Sequence, residues 1–165
     1  LSDEPRRRPR RDCRTAALAF LGRRAHPRRE LSRKLLRAGH EAAEVEATLD
    51  ALARAGLLDE AATAAELARA EAARGRGSRR VAASLRSRGV GDADAAHALA
   101  GVGGEGEAAR LRAALEKKQR SLPAGLTPVS RSRKLFDHLV RRGFGPGAVR
   151  EALREKGDPT DDDGS

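Results

Sequence analysis

The amino-acid sequence predicts an all-α fold made of three tandem three-helix repeats, about nine helices in all. Two observations predict the repetition and a third excludes a sheet. The stretch Glu30-Leu-Ser-Arg-Lys-Leu-Leu-Arg-Ala-Gly39 recurs as Arg80-Val-Ala-Ala-Ser-Leu-Arg-Ser-Arg-Gly89 and as Lys134-Leu-Phe-Asp-His-Leu-Val-Arg-Arg-Gly143. In each copy an apolar residue (Leu31, Val81, Leu135) precedes a leucine (Leu35, Leu85, Leu139) by four, and a glycine follows that leucine by four. One helical turn returns residue i+4 to the face of residue i, so each copy is an amphipathic helix. Glycine ends it, because glycine enters the left-handed conformation past a helix terminus without strain. The echo runs on: Val45, Ala95 and Val149 lie six residues past the glycines, and Leu49, Leu99 and Leu153 lie ten past them. These mark a further helix with its own apolar stripe. The glycines are spaced 50 and 54 residues apart. No alternating β-branched run appears from which a sheet would form.

Composition limits what such repeats can hold. Of the 165 residues, 39% are apolar but only 2% aromatic, all of them phenylalanine. Many of the rest are alanine, which buries little area, so each repeat has a thin core and gains stability from its neighbours. The formal charge is +10, which attracts acidic partners such as nucleic acid, an acidic protein surface or anionic lipid. Cys13 is the single cysteine, so an intramolecular disulfide is excluded, in keeping with a reducing cytoplasm. No apolar run of about 18 residues suggests a membrane span, and the charged first residues resemble no signal peptide.

The elements follow in order. Residues 1–11 hold five arginines among Pro5 and Pro9 and read as a disordered basic arm. Repeat 1 covers 12–58. Asp12 caps its first helix, His26-Pro27 opens the second with proline in the first turn, and the third runs from Glu41 to about Ala55. Repeat 2 covers 59–104. Asp59 caps an alanine-rich helix, Ser78 caps the next, and Asp92 caps a short last one. The segment Gly101-Val-Gly-Gly104 reads as a flexible boundary. Repeat 3 covers 105–156. Its first helix carries Leu111 and Leu115, Ser130 caps the second, and Gly143-Phe-Gly-Pro-Gly147 turns into the last. Residues 157–165, with four aspartates, read as a disordered acidic tail.

No catalytic constellation can be assembled, so the chain is not expected to be an enzyme. The four histidines, His26, His40, His97 and His138, read as belonging to different repeats and pairing with no cysteine, so neither a metal site nor a cofactor is expected. Gly75-Arg-Gly77 lacks the spacing of a phosphate loop. Tyrosine and tryptophan are absent, and with them the usual base-stacking platform. Glu66 and Glu71 read as solvated helix surface. The cations remain. An arginine stands two residues before each apolar anchor: Arg29, Arg79 and Arg133. Arg80 and Lys134 follow in two copies. Cations at a helix start oppose the helix dipole, which favours a binding role. Those at the ends, Arg37, Arg88, Arg141 and Arg142, gain roughly 0.3–1 kcal/mol from the dipole without any partner.

Four stretches together resemble the RecX family of bacterial recombination regulators: Arg24-Ala-His-Pro-Arg-Arg-Glu-Leu31, Gly56-Leu-Leu-Asp59, Arg74-Gly-Arg-Gly-Ser-Arg-Arg-Val81 with Leu85 and Gly89-Val90, and Arg141-Arg-Gly-Phe144. The resemblance spans about Thr15 to Arg154. It departs at Pro27, where the family usually has a serine cap, and at Ala62, where a phenylalanine is usual, which bears on the packing of repeat 2. It implies an elongated, curved array of three-helix units that binds the RecA filament in its groove. It also implies restraint of filament growth, ATP hydrolysis and strand exchange, in homologous recombination and the SOS response. The partner is then the RecA filament, with single- or double-stranded DNA met through the basic surface, and the protein is expected to be a cytoplasmic monomer. Binding residues carried over are Arg76, Arg79 and Arg80, with Arg141 and Arg142. Arg29, Arg133 and Lys134 join them from the repeat itself. The alternative is a stand-alone DNA-binding protein whose helices at 28–37, 78–88 and 130–142 enter the major groove. Against it, the leucine pairs require burial, and arginine alone gives unspecific, salt-sensitive affinity.

Overall fold

The structure is a computed structural model that describes residues 12–157. Among the described residues there are nine helices and no strand. They are α1 (Cys13–Leu21), α2 (Arg28–Arg37), α3 (Ala42–Arg54), α4 (Glu60–Ala73), α5 (Ser78–Arg88), α6 (Asp92–Ala100), α7 (Gly104–Arg120), α8 (Pro128–Arg141) and α9 (Pro146–Glu155). The basic arm at 1–11 and all but the first residue of the acidic tail lie outside the described residues. Among the described residues no helix is long and apolar enough to cross a membrane.

Three separate apolar clusters form, one for each set of three helices. The first gathers Leu31, Leu35, Val45, Leu49, Leu52 and Leu58 with Cys13 and Ala17. The third gathers Leu111, Leu115, Leu135, Leu139, Phe144, Val149 and Leu153. The repeated pairs Leu31/Leu35, Val81/Leu85 and Leu135/Leu139 are all 0% exposed, so the motif exists to fill cores. Each such side chain contributes roughly 1.5–3 kcal/mol. The second cluster resolves the question raised by Ala62. It joins Leu67, Val81, Leu85, Val90 and Val102 to Ala64, Ala68, Ala72, Ala95 and Ala98. With small residues on the facing sides of α4 and α6, the two helices approach closely and the core closes without an aromatic ring.

Helix starts depart from the sequence reading in an instructive way. Asp12 and Asp59 cap as expected, accepting from Thr15 N at 2.8 Å and Ala62 N at 2.9 Å. Pro27, however, is itself the cap residue of α2, and Gly77 that of α5, with Ser78 the first helical residue. Gly91, not Asp92, precedes α6. At α8 the helix begins at Pro128 and Thr127 is the cap, accepting from Ser130 N at 3.2 Å. Pro27 and Gly77 have no side-chain oxygen to offer, and the following unit supplies one instead. Glu60 of α4 accepts from Arg28 N at 2.6 Å. Glu107 of α7 accepts from Ser78 N at 2.8 Å and also from Ser78 Oγ. Each glutamate lies in the first turn or so of its own helix, so one carboxylate meets the positive ends of two helices.

The second joint is tighter still. Gly77 N donates to Arg142 O at 3.0 Å and Arg79 N to Gly143 O at 3.1 Å, so the end of α8 abuts the start of α5. A Cβ on Gly77 would lie 2.4 Å from the backbone of Gly143 and Phe144. Gly143, at φ +93, lies equally close to Arg80, and Gly89, at φ +87, lies against Arg29 in the first joint. Gly89 and Gly143 thus end their helices and seat the preceding unit. The boundary at 101–104 is not loose either. Val102 is buried in the second cluster and its carbonyl accepts from Arg110 Nη2 at 2.6 Å.

Gly77 has φ −79, which any residue adopts. The cost of Gly77→Ala is therefore steric, and about 2 kcal/mol of destabilisation is expected. Gly56 has φ +68 with open space around it, so Gly56→Ala should cost only about 1 kcal/mol, from the backbone. Urea denaturation of both variants measures this. Equal costs would mean that the backbone contact between α5 and α8 is not a tie.

Candidate functional site

The cations divide into those the fold uses and those it leaves free. Arg28 reaches Glu46 and Asp50, each at 2.7 Å. Arg88 joins α5 to the first unit, donating to Glu30 at 2.7 Å and to Ala25 O at 3.4 Å. Arg142 does the same one unit on, donating to Gly75 O at 3.0 Å and Arg74 O at 2.7 Å. Both stand just before the glycine that ends the motif, and Ala25 and Gly75 are equivalent under the 50-residue spacing. The joint repeats along with the sequence. Arg76 pairs with Glu71, which also holds Arg74 at 2.6 Å. Glu71 is therefore a buried hub and not the solvated residue the sequence suggested: Arg74 reaches it from the next turn of the helix end, and the bend at 75–77 folds Arg76 back onto it. Glu66 is exposed, as expected.

Arg29, Arg79, Arg80, Arg133, Lys134 and Arg141 are exposed, and their side chains have no hydrogen bond or ion pair among the described residues. Arg29, Arg79 and Arg133 each precede a fully buried anchor by two residues, a rotation of about 200°. They project away from the cores. Of the eight cations singled out from sequence, six are thus available at the surface, while Arg76 and Arg142 are engaged in structure. Arg86 was missed. It lines a cleft of ≈ 430 Å³ between the first and second units with Arg28, Arg29, Arg33, Ser32 and Ser87. Arg33 spans that cleft to the carbonyls of Ser87 and Arg88 at 3.4 and 3.3 Å. Nothing in the spacing signals it, since the cleft arises from contact between units.

Glu30 concentrates the charge in the first joint. Arg24 at 2.9 Å, His26 at 3.0 Å, Lys34 at 3.8 Å and Arg88 at 2.7 Å surround its carboxylate. Burial alone would raise its pKa, but the hydrogen bonds and charges of Arg88 and His26 prevail and lower it. The His26 ring is buried, edge-on to Phe20 at 6.3 Å. Desolvation lowers its pKa despite the bond to Glu30. His138 is also lowered, first by desolvation and then by Lys118, Arg142 and Arg141.

One expectation fails. His26 and His40 both fall in the first unit, and His40 is not remote from cysteine. The packing of α1 on the α2–α3 turn brings Cys13, His40 and Glu44 together, with donor atoms within 4.8 Å of one another. Among the described residues this is a possible metal-ligand group, which the reading of isolated histidines had excluded.

Models of the RecX family match this chain in two places: the first three-helix domain over residues 13–52 and the third over 105–153. The regulatory protein RecX of Halorhodospira halophila is 41% identical over 141 residues, covering 84% of each chain. That of Pelodictyon phaeoclathratiforme is 36% identical over 141 residues, covering 85% of this chain and 86% of its own. The chain belongs to the RecX family. The crystal structure of RecX from Lactobacillus salivarius superposes with a TM-score of 0.74 at 18% identity, over 87% of this chain and 93% of that one. A second RecX crystal structure gives 0.78 at 23% identity, over 87% and 71%. These two establish the shared fold. RecX proteins are regulatory proteins, and this member carries the family's three-helix units.

The titrating groups of this RecX chain fix how it responds to acid. Folding lowers the pKa of His26 and His138 from 6.5 and that of Glu30 from 4.5. The unfolded chain therefore takes up each proton first, and the stability is complete above those ordinary values and lost as pH falls below them. The urea midpoint should fall in two stages, one starting near pH 6.5 and one near pH 4.5. Glu30→Gln should remove Glu30's part of the second stage. It should deepen the first, because His26 loses the carboxylate that favours its charged form. A midpoint flat between pH 7 and 5 would contradict this account.

Proposed function

We propose that the chain binds the RecA nucleoprotein filament as a cytoplasmic monomer and restrains its extension, ATP hydrolysis and strand exchange. The observation that carries this is the recurrence of unpaired cations at one register, Arg29, Arg79–Arg80 and Arg133–Lys134, in a chain of the RecX family. A groove wound around a polymer repeats its surface at intervals, and three units joined in one sense offer a matching series of contacts. The filament presents phosphates and acidic side chains, to which arginine binds with paired N–H donors. Arg141 extends the series at the end of α8. Arg76 and Arg142 belong to the carried-over set as well. Because both hold the fold together, changing them confounds loss of binding with loss of structure.

Arg79→Glu with Arg80→Glu is the informative variant. Arg80 meets Gly143 through its backbone and Cβ, which glutamate keeps. With purified RecA, single-stranded DNA and ATP, the unaltered chain should shorten filaments and slow ATP hydrolysis at substoichiometric amounts. The double variant should lose this effect with helicity unchanged. Where a removed cation met a phosphate, the salt dependence of binding should fall by about one unit per cation. Full inhibition by the variant would clear these residues. Tight, sequence-selective binding to duplex DNA without RecA would favour the stand-alone DNA-binding reading instead.

A further inference from the structure

Cys13, His40 and Glu44 come from three elements of the first unit. Cys13 opens α1, His40 lies in the turn after α2, and Glu44 is in the first turn of α3. We propose that these three residues form a zinc site. Their donor atoms, Sγ, a ring nitrogen and a carboxylate oxygen, lie within 4.8 Å of one another. Bonds of about 2.3 Å to sulfur and 2.0–2.2 Å to nitrogen or oxygen in a tetrahedron set neighbouring donors roughly 3.3–3.6 Å apart. His40 Nδ1 and Glu44 Oε2 are already 3.5 Å apart. Small rotations bring in the sulfur.

The carboxylate occupies this place without a strong hydrogen bond. Glu44 Oε1 accepts from Cys13 N at 3.4 Å, beyond the usual 2.7–3.2 Å range. The sulfur and the ring are largely out of water, with Cys13 1% exposed and the His40 side chain 7%. The Glu44 side chain is 48% exposed and gives an ion its way in.

Donor type selects the metal. A thiolate with an imidazole suits zinc or cobalt and does not suit magnesium or calcium, which require oxygen. On binding, the Cys13 thiol releases its proton to water and the sulfur lone pair forms the bond. The His40 ring enters neutral through its free nitrogen lone pair, and Glu44 enters ionised. Two negative ligands offset the two charges of the ion, so the bound site is neutral; because Glu44 is already counted as ionised in the formal +10, binding with loss of the thiol proton raises the chain's charge by one. Three protein ligands leave the fourth position to water. The ion would pin the start of α1 to the turn between α2 and α3, binding only the folded unit and stabilising it.

The full chain, prepared metal-free, tests this by titration with zinc and with cobalt as its spectroscopic substitute. One ion per chain is expected, with a sulfur-to-cobalt charge-transfer band and a melting temperature raised by zinc and restored by chelator. Magnesium should do neither. Cys13→Ala should abolish the band, and His40→Gln and Glu44→Gln should each weaken zinc binding at least tenfold. If Cys13→Ala does not fold, the other two variants, nearer the surface, decide. No charge-transfer band in the unaltered chain, or zinc affinity in His40→Gln and Glu44→Gln unchanged from that of the unaltered chain, overturns the proposal.

Discussion

The start of α5 carries N–H groups that nothing in its own unit answers. Gly77 has no side chain to offer, and the backbone of Gly143 leaves no space for one. All three leading donors, on Gly77, Ser78 and Arg79, are met by the third unit, through Arg142 O, Glu107 and Gly143 O. The start of α2 shows the simpler form, with Glu60 reaching back to Arg28 N. The units are thus tied less by shared apolar surface than by directional polar bonds, each made at a helix end. Such bonds fix orientation, because an N–H left unmet inside a joint costs about 1–3 kcal/mol. α8 has no unit after it among the described residues, and it has a cap of its own in Thr127. The exception shows what the other two helices borrow.

This constraint sorts the arginines. A chain with 34 lysines and arginines looks uniformly sticky, but Arg28, Arg33, Arg74, Arg76, Arg88, Arg110 and Arg142 are spent on carboxylates and carbonyls of the fold. Of the free ones, Arg29, Arg79, Arg80, Arg133 and Lys134 begin α2, α5 and the equivalent turn of α8, and Arg141 ends α8. Their spacing follows from the buried anchors two residues later, so the registers of core and surface are locked together. A surface repeated in this way is a by-product of repeated cores, and selection has only to keep it positive.

The core was legible in the sequence, because the interval from Leu31 to Leu35 to Gly39 is set by the helix itself. The repetition was read from the same interval, and the exclusion of a sheet from the lack of any alternating β-branched run. The joints were not legible. Glu60 and Glu107 sit 32 and 29 residues from the groups they meet, and a glutamate at the start of a helix already has a local reason to be there. Glu71 misled for a similar reason, since one of its two partners, Arg76, comes from the bend past the helix end. In the stretch Arg74–Val81, which carries much of the resemblance to the RecX family, the sequence offers Arg76, Arg79 and Arg80 as contacts and Ser78 as a local cap. Gly77 and Ser78 within it are the seat of the third unit, and only Arg79 and Arg80 project outward. Cys13 and His40 were kept apart because they lie 27 residues apart in sequence, and only the packing of three helices brings them together.

Caps supplied from downstream also bear on how the chain is made. The residues of the first unit emerge from the ribosome before α4, which positions Glu60, can fold, and those of the second before α7, which positions Glu107. Folding from the N-terminus as the chain emerges is the usual course for tandem domains. Here each nascent unit stays open at one helix end until its successor arrives. Completion therefore lags emergence by one unit, and the middle one settles only when the last has folded against it.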